Sequence, residues 1–173
     1  MVTYIAWLRG INVGGKNLLP MKAFSVTLQN LGLKKVRTYI QSGNVVFETS
    51  KRSCASLAKK ISTVISSEYG MQIPVHVLTR DELQEASDAN PYPEEEGKTV
   101  HFFFLAEAPV NANLPALKAL ASPSENFELH GPVFYLHAPD GIGRSKLAVK
   151  AERLLAVSAT GRNLNTVRKL LAL

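Results

Sequence analysis

Residues Gly10 to Asn17 read G-I-N-V-G-G-K-N and follow an apolar, β-rich run, Thr3–Leu8. A G-x4-G-K spacing after a strand is the pattern with which backbone amides and a lysine enclose a phosphate. Position 17 is Asn, where a magnesium-binding Ser or Thr belongs, and Pro20 delays the next helix beyond Lys16. A helix that starts late cannot aim its amides at the anion, so a nucleotide-hydrolysing loop is not expected. A weaker anion site remains, built from Asn12, the amides of Gly14 and Gly15, and the charges of Arg9 and Lys16. The plain alternative is a turn whose glycines supply positive φ.

Three further segments carry candidate residues. Arg37-Thr38-Tyr39-Ile40-Gln41-Ser42-Gly43-Asn44 combines a cation with Ser42 and Asn44, although Ser-Gly-Asn is also ordinary turn chemistry. Gly141–Lys150 (GIGRSKLAVK) places Arg144, Ser145 and Lys146 in the first turn of an expected helix. Cations there oppose the helix dipole, a placement that an anion binding both amides and side chains would relieve. Thr160–Thr166 (TGRNLNT) contains Arg162 and Asn163; Asn163 is a good N-cap for a last helix, whereas Arg162 has no such explanation.

Other chemistries find less support. His76, His101, His130 and His137 fall singly on expected strands without ligand spacing, so no metal site is expected. No serine sits in a G-x-S-x-G elbow, and no general base lies in the four segments apart from the carboxylates Asp140 and Glu152. The lone Cys54 excludes an internal disulfide; near a helix start its thiol could be acidified, but a small packing residue is the simpler reading. Phe102-Phe103-Phe104 reads as a buried strand rather than a base-stacking platform.

The candidate segments coincide with an uneven charge distribution. The 173 residues hold 20 Lys+Arg and 14 Asp+Glu, a net +6. Residues 1–47 carry six cations and no acid; residues 48–140 carry 7 basic and 13 acidic groups; residues 141–173 carry seven cations and only Glu152. Two basic ends thus flank an acidic middle, which favours anionic partners near the ends. The bland alternative is two solvated basic faces. With 46% apolar residues the chain can bury a proper core. It shows no apolar run of membrane-spanning length and no signal-peptide pattern, so a soluble cytoplasmic protein without a membrane partner is expected.

The elements that must position these residues follow from periodicity. Strands at Thr3–Leu8, Val36–Ile40, Val45–Phe47 and Pro74–Leu78 alternate with helices carrying Met21, Phe24, Leu28, Leu31 and Leu57, Ile61, Val64, Ile65. That order is βαββαβ, the ferredoxin-like unit. Thr79–Glu82 fits a capping box for a connecting helix, and Pro91–Gly97 (PYPEEEG) is a polar linker whose glutamates are expected to be solvated. The pattern then restarts about 96 residues on. Thr99–Leu105, a helix from about Asn113, a hairpin around Gly131-Pro132, and a helix from about Arg144 give βαββα. The last strand is doubtful, with four residues at most in Val157–Thr160, before a closing helix.

LRGINVGGKN at 8–17, RTYIQSGNVVF at 37–47, GIGRSKL at 141–147 and TGRNLNTVRKL at 160–170 together resemble the bacterial domain-of-unknown-function family 1697. The resemblance spans the chain and implies two ferredoxin-like subdomains in one protein of this size; it implies no established activity. One departure is Leu164, where the family commonly has an aromatic residue after Arg-Asn.

The expectations are therefore an α+β tandem of two ferredoxin-like subdomains, 1–79 and 98–173, joined through 80–97, the second ending in an extra helix. The expected ligand is phosphorylated or a nucleic acid, bound in a cleft where the basic ends converge. Arg9, Lys16, Arg37, Arg144, Lys146 and Arg162 would supply charge, and Asn12, Gly14, Gly15, Ser42, Asn44 and Asn163 orientation. No cofactor is expected, and the oligomeric state would be monomer or weak homodimer. The alternatives are a small enzyme on a phosphate-bearing metabolite and a protein–protein adaptor using an exposed sheet edge.

Overall fold

The near-continuous apolar run VTYIAWL forms β1 (Val2–Leu8), with its last five residues buried, as a central strand covered on both faces requires. A computed structural model describes residues 1–50 and 53–173. After β1 come α1 (Met21–Asn30), β2 (Lys34–Tyr39), β3 (Asn44–Thr49), α2 (Cys54–Tyr69), β4 (Val75–Thr79) and α3 (Arg80–Asp88). The sheet is antiparallel in the order β2-β3-β1-β4. Then follow β5 (Val100–Leu105), α4 (Leu114–Leu120), β6 (Asn126–His130), β7 (Val133–His137), α5 (Lys146–Leu155), β8 (Ala159–Asn163) and α6 (Leu164–Ala172). Their sheet has the equivalent order β6-β7-β5-β8, again antiparallel. Each half is thus a ferredoxin-like βαββαβ unit, and α6 is the extra helix.

The chain divides into two compact units, Met1–Glu85 with Lys169–Leu173, and Ala86–Arg168. In the first, Tyr4, Ala6, Leu8, Val45 and Phe47 pack against Phe24 and Leu28 of α1 and Leu57, Ile61 and Ile65 of α2. Full burial of such side chains contributes roughly 1.5–3 kcal/mol each. In the second, Leu105, Phe134 and Leu136 meet Leu117 of α4 and Leu147, Ala151 and Leu155 of α5. The helix ends follow their local signals. Ser53 caps α2, whose chain leaves through Gly70 at φ 67°; Asn113 caps α4; Thr79 and Glu82 bond reciprocally as a capping box.

Two expectations need correcting. The last strand is five residues, and it contains Gly161, Arg162 and Asn163, which read from sequence as the approach to the final helix. Pairing along β5, from Leu105↔Ala159 to His101↔Asn163, overrides the weak strand propensity of Gly and Asn. Arg144 ends a 3₁₀ turn, Ile142–Arg144, and does not lie in the first turn of α5. Ser145 is the N-cap, accepting from the Ala148 amide at 3.0 Å, so Lys146 is the one member of that trio inside the helix.

Edge strand β2 carries a bulge between Lys34 and Arg37, with Lys35 at φ 47°. Lysines and a bulge blunt an edge against strand addition.

On β5, His101 is buried, and its Nε2 has no hydrogen-bond partner among the described residues. Burial holds its pKa below the ordinary 6.5, against a smaller opposing contribution from the Lys98 backbone. The native imidazole is therefore neutral where an unfolded one would bind a proton. Its share of stability is present above pH 6.5 and is lost as pH falls below it. Urea unfolding at stepped pH should show this decline, and His101→Phe should flatten that part of the profile.

Candidate functional site

The glycine loop closes on itself. Val13 and Lys16 form a bridge with the Lys16 amide donating to the Val13 carbonyl at 3.0 Å. Gly14 and Gly15 sit between them at φ 59° and 73°, the pair of left-handed residues that a tight two-residue reversal needs. A Cβ at either would meet nothing within 4 Å, so the requirement there is backbone conformation alone. Helix α1 starts only at Met21, with Pro20 as its N-cap. The phosphate-loop geometry is absent, as the Asn17 and Pro20 substitutions of the motif imply. What projects from the tip is an exposed Lys16 beside two exposed glycines.

Asn12 fixes this turn to the rest of the unit. Its carboxamide donates to the Leu19 carbonyl at 3.0 Å and to the Gln41 carbonyl at 2.8 Å, and it accepts from the Leu19 amide at 2.8 Å. The Gln41 contact reaches the β2–β3 loop, Ile40–Gly43. Leu8 completes the junction: its amide donates to the Gly43 carbonyl at 2.8 Å. The first two motifs, distant in sequence, therefore form one interlocked platform at the end of β1. The hydrogen bonds through Asn12 and Gly43 bring these two loops together.

Several candidates turn out to be engaged by the fold. Asn44 is fully buried and donates to the Tyr39 carbonyl and to Ser42 Oγ, closing the hairpin turn. Asn163 accepts from the Thr166 amide at 2.9 Å and so caps α6. Arg162 lies on β8 opposite Phe102, with a guanidinium N–H on the Gly161 carbonyl. Burial lowers its pKa to about 10, which leaves it charged at neutral pH. Arg168 pairs with Glu94 at 2.5 Å, so at least one linker glutamate is a structural partner and not merely solvated. The Cys54 thiol, at the start of α2, is raised by burial and by Glu82, and the helix start does not acidify it. No group of three His, Cys, Asp or Glu that could hold a metal occurs among the described residues.

The exposed cations are differently placed. Arg37 is exposed on β2 opposite Val46, which lies outside the helix-side core, so Arg37 faces away from the helices. Arg144 lines a pocket of about 210 Å³ in the second unit with Ser122, Glu125 and Asp140. The carboxylates there are already held: Ser145 Oγ donates to Glu125 at 2.5 Å and Ser124 Oγ to Asp140 at 2.6 Å. Among the described residues the Arg144 guanidinium makes no hydrogen bond or ion pair.

Two features escaped the sequence reading. Val13, Leu18 and Ile40 are 65%, 66% and 52% exposed, each next to a residue of the Asn12 hydrogen-bond set. Ile40 also has φ 51°, a strained conformation for a β-branched residue, and no sequence signal announces it. The second feature is the partition of charge. The first unit holds 12 Lys+Arg against 5 Asp+Glu, and the second 8 against 9. The net charges are +7 and −1. The cations of 141–168 are therefore neutralised within the second unit, while the N-terminal excess persists.

Residues 1–135 match the family described as "Protein of unknown function (DUF1697)", and the chain belongs to that family. A solved structure, that of a conserved bacterial protein from Streptococcus pneumoniae, is similar at 28% identity and a TM-score of 0.70, covering 99% of this chain and 97% of that one. No curated protein matches. Among the described residues, no helix is long and apolar enough to cross a membrane.

Proposed function

We propose that this member of the family binds a phosphate-bearing polyanion, with the interlocked loops of the first unit, 10–17 and 40–43, as the primary contact. The observation that carries this reading is the charge partition: +7 resides in the unit that presents the Gly14-Gly15-Lys16 tip. Such a field raises the local concentration of a polyanion and speeds its capture. Exposed glycine amides and Lys16 suit single phosphate groups, and Arg37 adds a planar donor on the neighbouring hairpin. The aliphatic side chains of Val13, Leu18 and Ile40 offer contact to sugars and bases without selecting a sequence. Lys34 and Lys35 have a sufficient role in blunting the β2 edge and are not needed in the contact.

Fluorescence anisotropy with labelled RNA, single-stranded DNA and duplex DNA at two salt concentrations tests this. Binding that weakens steeply with salt is expected, because captured phosphates release counterions. Flat traces with all three ligands would remove the reading.

A phosphate-bearing metabolite is the second reading, favoured by the uncommitted Arg144 guanidinium in its pocket. Thermal stabilisation by nucleotides or sugar phosphates, but not by polynucleotides, would mark it. The Glu125 and Asp140 carboxylates in the same pocket repel such a ligand, which places this reading second.

A further inference from the structure

The first unit has a second feature, at the end of its sheet away from the glycine loop, where Val2 pairs with Thr49. A pocket of about 220 Å³ opens there. Leu33 and Leu57, both almost fully buried, contribute apolar surface, and Lys34, Lys60, Thr49 and Ser50 contribute polar groups. Among the described residues, none that lines it is acidic.

Lys60 is half-buried, and its ammonium donates to the Leu31 carbonyl at 2.9 Å, at the C-cap of α1. A cation at a helix C-terminus is favourable, and this accounts for one of its three donors. Among the described residues, the Lys60 ammonium makes no other hydrogen bond and no ion pair, and the Lys34 ammonium makes neither. Glu48, the register partner of Lys34, pairs instead with Lys35 at 3.0 Å. The pocket thus combines two cations, two hydroxyl-bearing residues and an apolar wall, with no counter-charge among the described lining residues.

We propose that this pocket binds a small organic anion: a carboxylate or phosphate head on a short apolar body. The head is held by Lys60 and Lys34 with the Thr49 and Ser50 hydroxyls, and the body lies on Leu33 and Leu57. The site is separate from the glycine-loop platform and depends on neither Lys16 nor Arg37.

Isothermal titration of the full chain with hexanoate and hexyl phosphate, with hexanol as the neutral control, tests the assignment. Both anions should bind, with hexanol at least about tenfold weaker, since a charge-assisted hydrogen bond is lost. Lys60→Met should weaken the anions by about tenfold, and Lys60→Arg, which keeps the charge, should hold affinity within about threefold. Lys34→Met on the exposed edge should weaken them without touching the helix end, which guards against a folding defect in the Lys60 variant. Binding of neither anion, equal binding of hexanol, or indifference to both lysine substitutions by methionine would overturn the proposal. Polynucleotide binding is read separately, so failure here leaves the loop reading standing.

Discussion

Gly43→Ala is expected to cost about 3 kcal/mol of stability, combining a left-handed backbone with an overpacked contact. A Cβ at Gly43 would lie 2.8 Å from Leu8 Cβ, 2.9 Å from the Leu8 carbonyl oxygen and 3.0 Å from Ile11 Cδ1. The residue also has φ 82°, which alanine adopts only under strain. Neither Leu8 nor Ile11 can yield easily, because both are buried at 1% exposure. The carbonyl of Gly43 receives the Leu8 amide, so any shift of the turn breaks that bond as well. Gly14→Ala is the control. It has positive φ too, but nothing within 4 Å, and should cost only about 1 kcal/mol. Urea unfolding of the two variants beside the parent gives the comparison. Equal costs would mean that the loop junction at Gly43 is not tight.

The second large effect concerns binding. Reversing both exposed cations of the platform, Lys16→Glu with Arg37→Glu, should lower polyanion affinity by about ten- to a hundredfold. The salt dependence should become shallower as well, by roughly 0.7 in the logarithmic slope for each phosphate contact removed from a single strand. Surface substitutions of this kind usually move stability by under about 0.5 kcal/mol, so folding should be intact. Lys118→Glu, an exposed charge in the second unit, should leave affinity within about twofold. A uniform loss for all three positions would indicate a diffuse charge effect and not a site.

The fold was largely legible in the sequence because its signals are local. Apolar runs, the helix stripes, Pro20 before α1, Gly70 after α2 and the Thr79–Glu82 box each act within a few residues. Strand β8 was only half legible. Gly161 and Asn163 are poor strand formers, and the pairing that makes them one comes from β5, some sixty residues away. The site was less legible for the same reason. Asn12 read as a ligand group, but its carboxamide is an internal tie between loops 29 residues apart. Gly43 read as a turn residue, yet its essential property is what lies above its missing Cβ. Charge is distributed differently along the chain and in the fold. Segments along the chain gave two basic ends, whereas grouping by folded unit leaves one basic unit and one near neutrality.

Amide NMR spectra of the chain titrated with a short single-stranded oligonucleotide, at low salt, test the platform directly. The largest shifts should fall on residues 10–17 and 40–43, centred on Gly14, Gly15 and Lys16, with smaller changes at Arg37. Shifts confined to residues of the second unit, or binding with no perturbation of these two loops, would contradict it.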